Sequence, residues 1–581
     1  MRTWRWVSVL AMLVLVLAAC GQQAASPSES ATEPASPDES EPVASANPDY
    51  EGMVYPEAGP AECGAPADDT HDAYTGNISE IRAVDELTVE FTLCAPAVAF
   101  LEQVAFASFA INDTAWLEEH VPDGSIVEQM NGTGPYAFSE WVRGDHITYE
   151  ANPDYWGDAP AAQTAIIRWS AESAQRLLEL GSGTVDGVDN VGTADFETAQ
   201  GDPNLQVIER QGINTFYIGF NNTFDPWSDV RVRQAVAMGI DRQRIVDNFL
   251  PPGSETASHF TPCDIDFGCE GDEWYEFDPE AARALLAEAG FPDGFETTLS
   301  YRNVVRGYLP EPPIVAQELQ SQLAENLGIT VTLDEQESGT FSGNVSAGLV
   351  EGLYLYGWGA DYPDATNFLD FHFGTGAGPK FGDIYDEIAG PITTGGTSLD
   401  DEERRAAYEE ANNAIKENVP VAIMTHAGSA TAWLADVEGA HSSPLGNEQL
   451  AALTPGDRDQ LVWMQNAEPI GLYCADETDG ESLRACEQTM ESLYAYETGG
   501  VLAIPALAEE CTPSDDATVW TCALRSGVTF HDGATFDAND VVLSYAVQWD
   551  AEHPLHVGNT SAFDYFPGLW GGFLNTPLPE E

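Results

Sequence analysis

Hydrophobic and polar positions along the chain predict strands and helices that alternate. Apolar and polar residues alternate over 83–93, the pattern of a strand with one buried face. The segment 214–223, with the apolar run FYIGF at 216–220, predicts a second, buried strand. Apolar residues recur at helical spacing over 278–291, where Gly290 would end the helix, and again over 399–418. Mixed strands and helices of this kind indicate an α/β fold with mixed sheets.

The start of the chain has the features of a secretory leader. Residues 1–19 carry positive charge at the beginning and then an apolar core that is too short to span a bilayer. The core ends in Leu-Ala-Ala-Cys at 17–20, which has the form of a lipobox, so we expect a lipid on Cys20 and attachment to the extracytoplasmic face of the cell membrane. An ordinary signal peptide with a cysteine at its cleavage site is the alternative. Residues 20–48 are rich in Ser, Pro, Ala and Glu and predict a flexible tether.

The charge of the chain excludes several kinds of partner. The formal net charge is −75, from 96 acidic and 21 basic residues, and the only lysines are Lys380 and Lys416. Binding to nucleic acid needs a cationic surface, which this composition does not provide. An acidic surface of this density is typical of proteins that work in high salt, where screening weakens self-repulsion. A generally soluble acidic exterior is the alternative.

Eight cysteines besides Cys20 suggest disulfide bonds in an exported protein. Two of them flank a turn-like stretch at 514–517, so a hairpin would bring them face to face. Two others close a short loop, and a third pair would tie a strand to the following helix. Zinc is the competing interpretation, but the sequence has no CxxC pair and its histidines are scattered. The expected pairs are Cys511–Cys522, Cys263–Cys269, Cys474–Cys486 and, by elimination, Cys63–Cys94.

Several motifs together resemble one protein family. The runs Pro505–Glu509 (PALAE), Leu524–Gly533 (LRSGVTFHDG) and Asp540–Val542 (DVV) are similar to the early part of family 5 extracytoplasmic solute-binding proteins, the peptide and nickel receptors of ABC importers. Asn152–Gly157 (NPDYWG) and Asp229–Ala235 (DVRVRQA) are similar to later parts of the same family. The resemblance covers most of the chain from about residue 80 to 575.

The order of these motifs differs from that of the family. Their early part lies at the end of this chain, and the part that should follow it begins near Ile81, so the chain resembles a circular permutant. Residues 440–465 have no counterpart in the family and would be the new connection. The resemblance implies a two-lobe periplasmic-binding-protein-like fold of the type II peptide-binding class, with mixed sheets and hinges near Phe220 and Val421. The expected parts are 49–220 (lobe I), 221–425 (lobe II), 426–465 (return to lobe I and new connection) and 466–581 (lobe I).

The resemblance also implies a function. The protein would bind an oligopeptide between its lobes and deliver it to an ABC permease that is driven by cytoplasmic ATPases. Other cargoes share this fold, so a nickel chelate, an oligosaccharide or an opine is the alternative. The sequence contains no GxSxG, HExxH or P-loop motif, so we expect no enzyme. We expect a monomer with no cofactor, no metal and no nucleic acid partner.

The sharpest candidate site is the run at 353–371. The resemblance implies that Asp361 binds the α-ammonium group of a peptide, while Gly357, Trp358 and Gly359 offer main-chain pairing. Asp364 is near enough to exchange roles with Asp361. A structural tryptophan and a solvated carboxylate are the alternative.

The opposite wall of the cleft is less defined by the sequence. The aromatic and glycine-rich run at 558–573 contains Phe563 and Tyr565, which we expect to form a side-chain pocket. Packing of both rings in a core is the alternative.

Overall fold

A computed structural model describes residues 50–304, 306–375 and 377–578. The expected leader (1–19), the lipid site at Cys20 and the tether lie outside the described residues. None of the helices in the described part combines the length and apolarity that crossing a membrane requires.

A five-stranded sheet joins strands from both ends of the chain. Its central contact is antiparallel pairing of a strand near residue 90 with a strand near residue 520, in which Phe91 lies opposite Trp520. The strand expected over 83–93 is in fact a hairpin, because the Asp85 carboxylate accepts a hydrogen bond from the Leu87 N–H (3.0 Å) and supports a turn. The order in the sheet is β1 (Val54–Tyr55), β2 (Ile78–Asp85), β3 (Thr88–Leu93), β20 (Val519–Leu524) and β19 (Ala508–Pro513).

A seven-stranded sheet is formed by strands from residues 136–210 and 429–465. One of its central strands, at 460–465, runs parallel to both of its neighbours. The order is β4 (Tyr136–Val142), β5 (His146–Ala151), β6 (Thr164–Trp169), β16 (Gln460–Gln465), β7 (Gly187–Val188), β15 (Ser429–Leu434) and β8 (Leu205–Arg210). A separate hairpin consists of β17 (Tyr494–Tyr496) and β18 (Ala503–Pro505).

The middle of the chain builds a six-stranded mixed sheet. Its order is β10 (Glu255–Thr256), β14 (Val421–His426), β9 (Asn214–Gly219), β13 (Leu353–Gly359), β11 (Glu296–Arg302) and β12 (Thr330–Gln336). We call this sheet and its helices, residues 214–426, lobe II. The five- and seven-stranded sheets, from residues 50–210 and 429–578, form lobe I. The mixed α/β class expected from the sequence is confirmed.

Helices cover the sheets, and their ends follow ordinary capping chemistry. The helix that begins at Pro279 has the Asp278 carboxylate as its N-cap, and Gly290 follows its end with φ +100°. The α-helices are α1 (Phe100–Val104), α2 (Thr114–Asp123), α3 (Ser173–Gly181), α4 (Phe196–Gln200), α5 (Val230–Gly239), α6 (Arg242–Phe249), α7 (Pro279–Glu288), α8 (Pro312–Leu327), α9 (Ser338–Ser346), α10 (Ala365–Phe373), α11 (Asp386–Gly395), α12 (Asp401–Asn418), α13 (Gly480–Glu487), α14 (Ala538–Trp549) and α15 (Tyr565–Trp570).

Two short crossovers connect the lobes. Residues 211–213 lead from β8 into β9, and residues 427–428 lead from β14 into β15. The hinges expected near Phe220 and Val421 are therefore displaced, since both of these residues are fully buried in lobe II. Strand β9 pairs on both edges within lobe II, so the expected boundary at 220 lies at the wrong end of this strand.

The segment expected as a new connection is an integral part of lobe I. Glu448 is fully buried and accepts hydrogen bonds from the guanidinium groups of Arg210 and Arg484. Both arginines also contact the Asp189 carboxylate, at 3.0 and 2.9 Å. Strand β16 begins at Gln460, inside the expected connection, and lies between β6 and β7. Buried ion pairs and sheet pairing thus fix this segment in place.

The two ends of the described chain meet. Thr70 accepts a backbone hydrogen bond from Leu578 (3.1 Å), and His71 forms a bridge with Pro577. Together with the pairing of β3 and β20, this places the beginning and the end of the chain in one sheet region. A circular permutation requires such proximity. The permutation itself stays a prediction.

The eight cysteines of the described residues form four disulfide bonds. One bond lies across the β19–β20 hairpin, where Cys511 and Cys522 are direct partners in the ladder. The bonds are Cys63–Cys94, Cys263–Cys269, Cys474–Cys486 and Cys511–Cys522, the same pairs as expected from the sequence.

Candidate ligand-binding site between the lobes

Strand β13 has one edge that is only partly paired. Its residues 354–359 pair with β9, but on the other edge β11 contacts it only at Leu353 and Tyr354. Among the described strands, residues 355–359 therefore have no partner on that edge. An edge of this kind can pair with the main chain of an extended ligand.

The two glycines of β13 differ in what their small size permits. A side chain at Gly357 would overlap the ring of Tyr308 and the carbonyl oxygen of Thr215, so packing alone requires glycine there. Gly359 is exposed, and a side chain there would meet open space. Of the two glycines expected to offer main-chain contacts, Gly359 is the more accessible.

Trp358 and Asp361 are held by one amide, which the sequence analysis did not identify. The Asn367 Oδ1 accepts hydrogen bonds from the indole Nε1 of Trp358 (3.1 Å) and from the backbone N–H of Asp361 (3.0 Å). Its Nδ2 donates to the Asp361 carboxylate (3.1 Å). The Trp358 ring also stacks on Phe371, with 4.3 Å between ring centroids. Asn367 lies in the first turn of α10, six residues after Asp361. In the sequence, the only signal for its role would have been a helix start near residue 365, which places Asn367 close to Asp361.

The Asp361 carboxylate lacks a cationic partner. It is half-buried, and no basic side chain of the described residues lies within ion-pair distance of it. Burial raises the pKa of Asp361 to about 6, and only the Asn367 amide opposes this shift. A buried carboxylate of this kind gains from a cation that a ligand brings with it.

Side chains of lobe I face Asp361 across the cleft. Ala360, next to Asp361, lines a small interlobe pocket of about 120 Å³ together with Tyr565 and Tyr496 of lobe I. The pKa of Tyr565 lies above its ordinary value because of burial and, next, because of the negative charge of Asp361. The structure therefore places Tyr565 at this pocket and close enough to Asp361 to be affected by its charge.

Phe563 does not share this position. Its ring is fully buried and packs against His556, with 4.3 Å between ring centroids, and against Tyr473, with 5.9 Å. It is a core residue with no surface to offer a ligand, so the expected pocket role is wrong for Phe563.

Asp364 cannot exchange roles with Asp361. It is 5% exposed and is the N-cap of α10, where its carboxylate accepts hydrogen bonds from the N–H (2.9 Å) and Oγ1 (2.7 Å) of Thr366. The Arg404 guanidinium occupies its other oxygen at 2.8 Å. Its hydrogen-bonding capacity is used within lobe II.

Further carboxylates make the surroundings of the cleft acidic. The pKa of Glu102 in lobe I is raised to about 7, mainly by burial and secondly by the negative charge of Asp364. The same two causes raise the pKa of Asp370 in lobe II to about 8. These shifts leave the neutral form of both carboxyl groups populated near pH 7, and a ligand with a positively charged group would stabilise their charged form.

One group in the described residues resembles a metal site by distance alone. Potential ligand atoms of His259, Cys263 and Cys269 lie within 4.8 Å of one another. The two cysteines form a disulfide bond, so they offer no thiolate to a metal.

Two lobes that carry separate sheets and are joined by two crossovers around a pocket define a bilobal binding protein. The chain belongs to family 5 of the bacterial extracellular solute-binding proteins, whose sequence profile ("family 5 Middle") matches residues 40–380 and 503–565. The resemblance found in the sequence motifs is confirmed, and so is the two-lobe fold class.

Individual relatives give a more detailed comparison. The chain is 29% identical over 360 residues to di/tripeptide-binding protein 1 of Pseudomonas aeruginosa, and the aligned region covers 60% of this chain and 66% of that protein. It is 26% identical over 383 residues to heme-binding protein A of Haemophilus influenzae, covering 64% and 68%. Among solved structures, HbpA2 from Haemophilus parasuis matches with a TM-score of 0.59 and 28% identity over 64% of this chain and 74% of that one. The chain thus spans about two thirds of the length of the curated relatives it matches, and these are binding proteins rather than enzymes.

Proposed function

We propose that the protein is an extracytoplasmic receptor of an ABC importer that binds short peptides between its two lobes. The observation that carries the proposal is the half-buried Asp361 carboxylate, which has no cationic partner in the described residues and directly follows Ala360 in the lining of the interlobe pocket. The α-ammonium group of a peptide would supply the missing charge through a charge-assisted hydrogen bond.

The neighbouring strand supports an extended ligand. The partly unpaired edge of β13 ends at the exposed Gly359, two residues before Asp361. A peptide anchored at Asp361 would lie along this edge and pair through its main chain, which gives affinity without a demand for particular side chains. The similarity to a di/tripeptide-binding protein agrees with this ligand class.

A non-peptide solute is the second candidate, because a relative of similar identity is named for heme. The stacked rings of Trp358 and Phe371, the latter 52% exposed, would suit a flat or sugar-like ligand. Such a ligand would gain little from the Asp361 charge, so the two candidates differ in their dependence on this residue.

We further propose a lipid anchor at Cys20, a monomeric state and delivery of the ligand to a permease with cytoplasmic ATPases. Family membership agrees with an extracytoplasmic location. Metabolic labelling with a fatty acid, compared between the natural protein and Cys20→Ala, tests the anchor.

The test of the peptide assignment compares Ala-Ala with N-acetyl-Ala-Ala by isothermal titration calorimetry. Acetylation removes only the ammonium charge, so we expect binding of Ala-Ala and a loss of at least about 30-fold for the acetylated peptide. Asp361→Asn should weaken Ala-Ala to a similar extent, whereas Asp247→Asn, a change on the exposed face of α6, should not. Equal affinities for the two peptides would contradict the ammonium assignment. Native mass spectrometry of the purified protein would then identify the co-purified solute.

A further inference from the structure

A large cavity lies inside lobe I, beside the interlobe pocket. Its volume is about 690 Å³, within the range that small-molecule sites occupy. The wall is formed by the end of α13, the β17–β18 hairpin, the loop at 155–158 and the segment at 447–452. That last segment has no counterpart that we recognise in the family, so the cavity depends on a part of this chain that is its own.

Small side chains account for the size of the cavity. Alanine occupies a large part of the lining, in the segment that follows α1 (105–110), in the 447–452 segment and on the β17–β18 hairpin, which leaves space that larger residues would fill. Examples from these three places are Ala105, Ala451 and Ala495.

The cavity and the interlobe pocket share part of their walls. Ala107, Asn447, Glu487 and Tyr496 line both of them. The interlobe pocket in turn contains Ala360, the neighbour of Asp361. A group that leaves the ligand at Asp361 and passes through the interlobe pocket toward lobe I therefore reaches this shared wall, beside Arg484, which also lines the interlobe pocket.

Glu487 is the unsatisfied group in this shared wall. Its Oε1 accepts one long hydrogen bond from the Asn447 amide (3.4 Å), and its Oε2 is buried without a partner. Burial raises the pKa of Glu487 to about 7. A buried acceptor without a donor costs free energy that a suitable ligand group recovers.

Of the other charged groups around the cavity, Asp158 is exposed to solvent and the rest are engaged in contacts within the protein. The positive charge of Arg484 opposes the rise in the pKa of Glu487. However, the Arg484 guanidinium donates its hydrogen bonds to Glu448, Gln465 and Asp189. The second carboxylate in the wall, Glu491, accepts hydrogen bonds from Trp156, Thr133 and Tyr155. The positive charge of Arg525 opposes the rise in the pKa of Glu491 that burial causes. The Arg525 guanidinium carbon lies over the Trp156 ring, 4.0 Å from the ring centroid.

No lysine or arginine belongs to the lining within the described part of the chain. The cavity thus offers carboxylate and aromatic surface with no cation of its own. This is the environment in which a ligand ammonium or guanidinium group binds well.

We propose that this cavity receives the side chain of the first residue of the bound peptide and selects a long basic one, lysine or arginine, through Glu487. The inference rests on the proposed peptide function, since the ammonium end must lie at Asp361. Successive side chains of an extended peptide point to opposite sides, so the first can point into lobe I while the main chain follows β13. The cavity is larger than one side chain, so it holds the basic group with hydration water and selects by charge rather than by shape.

The test uses three dipeptides that differ only at the first side chain: Lys-Ala, norleucine-Ala and Ala-Ala. Norleucine has the length of lysine without its charge. Calorimetry should show Lys-Ala binding at least about tenfold tighter than norleucine-Ala. Glu487→Gln should remove most of this ratio. The matched control Glu509→Gln, a change of an exposed glutamate, should leave the ratio unchanged.

A second variant keeps the test independent of Glu487. Ala451→Leu narrows the cavity without changing any charge, and it should weaken Lys-Ala several-fold but not Ala-Ala. If Ala-Ala binds and Lys-Ala has no advantage over norleucine-Ala, the cavity assignment is overturned and the peptide function stands. If none of the three dipeptides binds, the proposed function fails and the cavity assignment fails with it.

Discussion

Asn214 and Ala427 fasten the two crossovers between the lobes to each other. The Asn214 Nδ2 donates to the Ala427 carbonyl oxygen (2.7 Å), and its Oδ1 accepts from the Ala427 N–H (3.0 Å). The crossovers pass so closely that a side chain at Gly212 would overlap the Ala427 carbonyl group. Any rotation of one lobe against the other must therefore bend both crossovers together.

Replacing Asn214 with Ala should loosen this junction. The change leaves the backbone N–H and C=O of Ala427 without these partners, so we expect a loss of about 1–3 kcal/mol in the free energy of unfolding. We also expect faster dissociation of a bound peptide, because the closed state loses contacts at its pivot. Urea unfolding and stopped-flow release measure the two effects.

Asn204→Ala is the control for this prediction. Asn204 is exposed, and its side chain bonds only to the nearby Asp202. A dissociation rate that is the same in both variants would contradict a role for Asn214 at the pivot.

The location of these crossovers shows what the sequence could not provide. The family resemblance implied a hinge near Phe220, but the position of a crossover depends on which sheet each strand joins, and that is a contact between distant residues. The helices at 279–288 and 401–418 were predictable because their signals, apolar spacing and capping residues, are local. The hairpin turn after Asp85 was missed because the alternation of apolar residues continues through it without Gly, Pro or Asn.

Peptide affinity should depend on pH through Asp361. In the free protein the pKa of this carboxyl is about 6, above its usual 3.8, because burial disfavours the charged form. An ammonium ligand favours the charged form and lowers this pKa, so binding should release a proton between about pH 5 and 6. Affinity should fall by up to about tenfold per pH unit as the pH is lowered through this range, and it should be nearly constant from there to about pH 7, above which the α-amino group of the peptide itself loses its proton.

Calorimetry in buffers of different ionisation enthalpy counts the released proton. The same shift makes the free energy of unfolding of the free protein depend on pH, because the charged Asp361 carboxylate destabilises the folded state. This destabilisation is fully present above pH 6 and absent below about pH 3.8. Asp361→Asn should therefore raise the melting temperature of the free protein near pH 7 while it weakens peptide binding. Proton release that persists in Asp361→Asn would assign the titration to another group.

Asp364→Asn should behave in the opposite way. Asparagine keeps the N-cap of α10, but the buried Arg404 loses its carboxylate, and breaking such a pair costs about 3–5 kcal/mol. Since Asp364 does not face the ligand, we expect the affinity for Ala-Ala to change less than about threefold under conditions where the variant is folded. Urea unfolding and calorimetry together measure this contrast with Asp361→Asn.

Asp361 and Asp364 also show what the sequence could not predict at the site. Asp361 and Asp364 are the same residue type three positions apart, and a motif treats them as interchangeable. They differ through Arg404, which lies 40 positions further along the chain and engages only Asp364. Phe563 and Tyr565 are separated in the same way, because only the three-dimensional packing places one in the core and the other at the pocket.

Glu448→Gln should destabilise lobe I strongly. Two buried arginines, Arg210 and Arg484, share Glu448 and Asp189 as their carboxylate partners, so removing one charge leaves an excess of buried positive charge. We expect a loss of about 3–5 kcal/mol in the free energy of unfolding. The control Glu438→Gln changes an exposed residue ten positions earlier and should cost less than about 0.5 kcal/mol. Equal effects of the two changes would mean that the 440–452 segment adds little to the core.

Restoring the motif order of the family should give a folded protein if the chain is a circular permutant. The rearranged chain would begin at Asp457, in an exposed turn, run to Leu578, and continue through a linker into residues 50–456. Tyr50 bonds to Asp537 at the start of α14, and Asn575 bonds to Asp550 at its end, so the linker must span the length of a twelve-residue helix, about 18 Å. About twelve Gly and Ser residues cover this distance.

We expect the rearranged protein to form the same four disulfide bonds, to melt within a few degrees of the natural chain and to bind the same ligand. The exposed turn contributes little pairing that the new ends would disrupt, and the linker joins ends that already lie on one face of lobe I. As a control, opening the chain between Val462 and Trp463 interrupts β16, which pairs on both edges in the seven-stranded sheet, and this protein should not fold. Peptide mapping of the disulfides and thermal unfolding distinguish these outcomes. If the break at Asp457 is as damaging as the break within β16, the present order is needed for folding and the permutation hypothesis loses its structural support.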